Sequence, residues 1–105
     1  MLSVNENSTS YVTAVFKEKD GNVQAPDSAR YRIDCVTTGT KIKDWTPINN
    51  PGSTEEITIS KSENAIIDQS NPTEQRVVTV EGTYGVDDGV SEELFYDLIN
   101  LYSVT

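Results

Sequence analysis

The chain has 105 residues, 17 of them acidic and 8 basic, for a formal net charge of −9. That length makes one domain rather than two, long enough to bury a core without metal or disulfide staples. The acidic balance argues against nucleic acid and against anionic membranes as partners, since both ask for clustered Lys and Arg.

Apolar residues make up 35%, below the usual ~45–50%, so the expected core is thin, as between two sheets. Residues 1–10 are polar apart from Leu2 and Val4. They read as an N-terminal arm that contacts neighbouring chains, and 11–105 as a single domain. The opening MLSVNENSTS lacks the basic start and apolar stretch of a signal peptide. No run approaches the ~18 apolar residues of a membrane helix.

Tyr11–Lys19 alternates, with Val12, Ala14 and Phe16 on one face, which is the period of a strand. Asp20-Gly21-Asn22 is a turn. Ala29–Thr37 forms the next strand, with Tyr31, Ile33 and Cys35 facing the core. Thr38-Gly39-Thr40 turns, and Ile42–Trp45 begins another strand. The lone tryptophan is expected to be buried against Tyr31, Ile33 and Val80, because an indole can cover roughly 150–250 Å². Pro47 and Asn49-Asn50-Pro51-Gly52 end that region in a loop.

Glu55–Ser60 is a strand with Ile57 and Ile59 inward, and Ala65-Ile66-Ile67 is a short apolar strand. Gln75–Tyr84 is the longest strand, with Val78, Val80 and Tyr84 on one face. Gly82 inside it marks a bulge or a close packing contact. Gly85–Gly89 is a hairpin loop. Val90–Tyr102 fits a helix through Leu94, Leu98 and Leu101, and a strand through Leu94, Tyr96 and Leu98. The preceding hairpin loop and the all-strand context favour the strand.

The expected fold is therefore all-β, a seven-stranded antiparallel sandwich. Its expected core is Phe16, Tyr31, Ile33, Cys35, Trp45, Ile57, Ile59, Val78, Val80, Tyr96 and Leu98. Leu2, Val4, Tyr11, Phe95 and Tyr102 are the expected interface residues, since aromatics are enriched at protein contacts.

The chemistry is sparse. With no histidine and one cysteine, Ser–His and Cys–His catalysis and a thiolate zinc site are excluded. Cys35 reads as a small buried hydrophobe. No phosphate-binding glycine loop occurs. The carboxylate pairs Glu55-Glu56, Asp87-Asp88 and Glu92-Glu93 would point to opposite faces of a strand. No enzyme activity, metal or cofactor is expected.

VTAVFKEKDGN (12–22), ARYRIDCVTTGTKIKDWTPI (29–48), EEITIS (55–60), NAIID (64–68), EQRVVTVEGTYG (74–85) and YDLINLY (96–102) follow one another in order. In this the chain resembles a family of small tailed-phage, virion-associated proteins with an immunoglobulin-like or fibronectin type III-like fold. The resemblance implies a terminal strand, no catalytic motif, and a structural role. The chain departs from the family pattern at Cys35, where a polar or turn residue is expected. The expected function is that of a non-enzymatic virion accessory, decorating a capsid or serving in the head–tail region. It would be made in the host cytoplasm, with major capsid, neck or tail proteins or further copies of itself as partners. The alternative is a soluble module binding carbohydrate or a host surface.

Overall fold

A computed structural model describes residues 2–101. Among them are seven strands: β1 (Leu2–Asn5), β2 (Ser10–Val15), β3 (Ser28–Cys35), β4 (Thr40–Ile48), β5 (Thr54–Ile59), β6 (Thr73–Tyr84) and β7 (Asp88–Ile99). They form a five-stranded sheet in the order β1-β7-β6-β3-β4 and a two-stranded sheet β2-β5. The fold is all-β and sandwich-like, elongated to 51 × 21 × 19 Å.

The period-two pattern explains which face each strand buries. Val12 and Ala14 of β2 and Ile57 and Ile59 of β5 are buried opposite Ile33, Val78, Val80, Tyr96 and Leu98 of the larger sheet. Phe16, just past β2, and Cys35, at the end of β3, are also buried. Tyr31 is half-buried and packs against this cluster from its edge.

Gly82 stays in register with Val90, without a bulge. A Cβ there would stand 3.0 Å from the Phe16 ring and 3.2 Å from Pro26, so the glycine lets Phe16 close over the sheet. At Gly21 and Gly39 the turns need φ of +86° and +74°, which glycine adopts without steric cost. The segment open to a helix reading is β7, paired with β6 along its whole length.

The structure corrects four expectations. Residues 2–5 are not a separate arm: β1 pairs with β7, Leu2 beside Tyr96 and Val4 beside Leu98. Val4 is only 8% exposed and belongs to the core. Two alternating apolar residues are a faint signal alone, but the edge of β7 supplies the missing backbone partners. That pairing is parallel, so the larger sheet is mixed rather than antiparallel. Ala65-Ile66-Ile67 is not a strand; it lies in the β5–β6 loop, where Ile66 is buried and Ile67 exposed. The strand total matches the expected one only because β1 replaces it.

The fourth correction is Trp45, which is outside the buried cluster. Ile42 and Ile48 both pack on the core, and each is three positions from Trp45. From Ile48 back to Thr46 the pairing with β3 is regular, so alternation turns Trp45 to the face opposite Ile48. The β3–β4 register slips between Tyr31↔Thr46 and Ile33↔Lys43, so Asp44 and Trp45 bulge opposite Arg32. Trp45 is therefore turned outward. Pro47 sits within β4 rather than ending it, as an edge strand permits.

Candidate functional site

Two groups of polar and aromatic side chains stand out, one outside and one inside. The outer group lies on the exposed face of β3, β4 and β6. Arg30 places its guanidinium 4.0 Å from the centre of the Trp45 ring, and Arg32 places its own at 5.6 Å. The pairing between β3 and β6 sets Arg30 beside Glu81, and Arg30 Nε donates to Glu81 Oε1 at 2.8 Å. Arg32 grips Asp34 through Nε and Nη2 at 2.8 and 2.7 Å. This hydrogen bond with Asp34 raises the Arg32 pKa above its ordinary value.

Asp44 holds the bulge. It accepts from the Trp45 backbone N–H at 2.7 Å and from Lys41 Nζ at 3.1 Å, and the first of these leads in lowering its carboxyl. The result is an indole held beside two arginines, each of which also bonds a carboxylate. Such a Trp–Arg arrangement on a flat sheet has the composition of a protein–protein contact.

The inner group closes one end of the sandwich. Glu74 and Arg76 are fully buried and paired at 2.9 Å. Arg76 also donates to the carbonyls of Glu63 and Ala65 at 2.8 and 2.7 Å. Glu74 accepts from the backbone N–H groups of Ile67 and Asp68. Burial pushes the Glu74 carboxyl up, but the Asp68, Ile67 and Arg76 hydrogen bonds outweigh it and hold the carboxyl below its ordinary value.

Asn64, also buried, accepts from the Tyr96 hydroxyl at 2.7 Å and donates to Ser8 O and Ser10 Oγ. Burial pushes the Tyr96 phenol up to about 12, so it stays a neutral donor. Apart from the Glu74–Arg76 pair within β6, the contacts of this group tie the β5–β6 loop to the sheets or to the β1–β2 connection. It fastens the loop to the sheets.

The expected interface residues scatter. Leu2 is exposed at the edge of the sheet and Val4 is buried in the core. Tyr11 is exposed on the outer face of β2, and Phe95 is exposed on β7 beside Val77, on the same outer face as Trp45. Tyr102 lies outside the described residues. The structure brings Phe95 and Trp45 to one face and leaves Tyr11 on the opposite sheet.

The acidic pairs separate as strand geometry requires. The Glu55 side chain accepts from Gly52 N–H at 2.6 Å while Glu56 is exposed. Among the described residues, no three His, Cys, Asp or Glu side chains converge as a metal site would need. In the Asp20-Gly21-Asn22 turn the oxygen chemistry is used locally, with Glu18 accepting from the N–H groups of Asp20 and Asn22.

Residue reading missed the roles of Arg30, Arg32, Glu74, Arg76 and Asn64. A signal existed for two of them. Glu74 and Arg76 share the parity of Val78 and Val80, so the same alternation sends them inward. Asn64 sits in a loop, where no period speaks for it. Comparison of the chain with protein-family models, curated proteins and solved structures gives no match.

Proposed function

We propose that this chain is a non-enzymatic accessory component of a bacteriophage virion, attached by protein–protein contacts through the outer face of its larger sheet. The observation that carries the reading is the outward Trp45, held by Arg30 and Arg32 on a sheet face that also presents Phe95. Large rigid aromatics with arginines are the residues that dominate contact energies. The resemblance of 11–102 to small tailed-phage proteins supplies the particle.

The finer fold assignment belongs here as well. Strands β2 and β5 in one sheet and β7-β6-β3-β4 in the other match the split of an immunoglobulin-like or fibronectin type III-like sandwich. The partners are a major capsid, neck or tail protein, and the net charge of −9 favours a contact patch with basic character. A single contact below ~1,200 Å² would be weak, and a repeated particle surface would add avidity.

The alternative, a module that binds carbohydrate, draws on the same outward Trp45. Sugars stack on a bare ring, whereas here Arg30 stands over it at 4.0 Å. That geometry favours a protein partner.

The test is to mix purified protein with particles that lack it and recover the particles by sedimentation. The wild type is expected to co-sediment, and Trp45→Ala and Arg30→Ala to lose most of that binding while keeping their fold. Equal binding by both variants, or no binding by the wild type to any particle fraction, overturns the reading. Retention on a glycan array instead would favour the alternative.

A further inference from the structure

A sandwich with two separate sheets has free strand edges, and bare edges invite another strand. Most edges of this chain are guarded. Strand β4 carries Lys41, Lys43 and Pro47, β5 carries Glu55 and Glu56, and β1 is only four residues long. Strand β7 meets β1 only from Tyr96 onward, and its uncovered part carries Glu92 and Glu93. Glu92, in register with Val80, and Glu93 are both exposed there, and charges on an edge deter strand addition.

Strand β2 is the exception. Its six residues, Ser10 to Val15, contain no charge and no proline. Tyr11 and Val15 are 57% and 38% exposed, and Thr13 between them is exposed as well. The backbone is as open as the side chains. The Phe16 N–H donates to Ser53 O at 2.8 Å, just beyond the pairing of Val15 with Thr54. Backbone groups alternate sides along an antiparallel strand. The even-numbered residues therefore bond to β5, and Tyr11, Thr13 and Val15 turn N–H and C=O to the open edge. An open groove of about 340 Å³ lined by Val15, Lys17, Val90, Ser91 and Glu92 adjoins the Val15 end of that edge.

We propose that β2 is a self-pairing edge: two copies of this chain join β2 to β2 antiparallel, about a two-fold axis through Thr13. The register follows from the free backbone groups. Thr13 meets Thr13 of the second copy, and Tyr11 meets Val15 in both directions. The free N–H and C=O groups of all three residues are then satisfied. The side-chain pairs are Thr–Thr and aromatic–β-branched, both favourable across strands. The occupant is a second copy because the edge is complementary to itself, as an isologous contact must be. On a chain of charge −9, this is also the full-length strand edge where two copies can meet without setting like charges opposite one another. The two small sheets become one of four strands, with both Trp45 faces left free. The inference stands independently of the virion reading.

One strand pair is a small contact, so the expected dimer dissociates with a constant between about 1 μM and 1 mM. Sedimentation equilibrium of the full chain across that range should show a monomer–dimer equilibrium. Thr13→Lys sets two ammonium groups at the axis and should weaken it at least about tenfold, with an unchanged far-UV circular dichroism spectrum. Thr58→Lys, on the outer face of β5, should leave it unaltered. Thr13→Cys should oxidise to a disulfide-linked dimer, since facing Cα atoms in such a pair lie at about 5.5 Å. A wild type that stays monomeric throughout, a Thr13→Lys variant that dimerises like the wild type, or no cross-link from Thr13→Cys overturns the proposal.

Discussion

Trp45 and Arg76 exchange the roles their chemistry suggests. The largest apolar side chain lies half-buried on the outer face of the sheet, and the guanidinium with the least access to water lies inside. For Trp45 the consequence is energetic. Emptying an aromatic core site costs about 3–5 kcal/mol, whereas Trp45 covers only part of its surface and leans on exposed arginines. Trp45→Ala should cost well under that range in a denaturant titration. Trp45 is half-buried with Arg30 over its ring, so the native indole should emit between the wavelengths of a buried and a water-exposed ring and be partly quenched by acrylamide. For Arg76 the logic reverses. It satisfies the Glu63 and Ala65 carbonyls as well as Glu74, so removing it strands a buried carboxylate and two carbonyls. Arg76→Met should destabilise by about 3–5 kcal/mol, read from the urea midpoint at an unchanged slope.

At the scale of elements, β1 is the test of how the fold is closed. It is short and begins with residues of little local preference, yet Val4 is in the core and Glu6 is buried behind it. The Glu6 N–H donates to Ile99 O at 2.9 Å, and its carboxylate accepts from Leu101 N–H at 2.8 Å. Deleting residues 2–5 uncovers the last turn of β7 and removes Val4. The loss should be about 2 kcal/mol or more, a fall of roughly 10 °C in Tm for a domain of this size. Calorimetry of the truncated chain checks it, and an unchanged Tm would mean that β1 contributes nothing to the core. The β5–β6 loop, unlike β1, is held by side chains reaching backbone groups rather than by strand pairing.

For the whole molecule the acidic balance and the buried carboxylates act together. The hydrogen bonds to Glu74 hold its folded pKa below the ordinary 4.5 against the effect of burial. Glu63 behaves alike: burial raises it, while the Ser60 hydrogen bonds and Lys43 lower it further. A lowered folded pKa favours the charged form in the native state. The stabilisation is complete above the unfolded value of about 4.5 and is lost as pH falls through the lower folded values. Stability should therefore decline steeply below about pH 4.5. Glu74→Gln should be less stable at neutral pH and show a flatter acid limb. Urea midpoints measured at a series of pH values check this, and parallel curves for the two proteins would count against it.

The alternation of small apolar residues is enough to identify β2, β3, β5 and β6, because burying one face of a strand imposes a period of two whatever its neighbours are, whereas β7 also fits helical spacing and follows from its all-strand context. The alternation also places Ile33, Ile57, Ile59, Val78, Val80, Tyr96 and Leu98 inward. The same parity sends Arg76 inward and Trp45 outward, against what their hydropathy alone suggests. Tertiary structure decided the rest. Whether residues 2–5 form a strand depends on an open edge of β7 almost a hundred residues away. Their parallel direction depends on the path the chain takes into β2. Whether Arg76 can be buried depends on loop carbonyls and Glu74 arriving at the same place. These are long-range pairings between groups with no local preference for one another, and a one-dimensional pattern carries no distance between them.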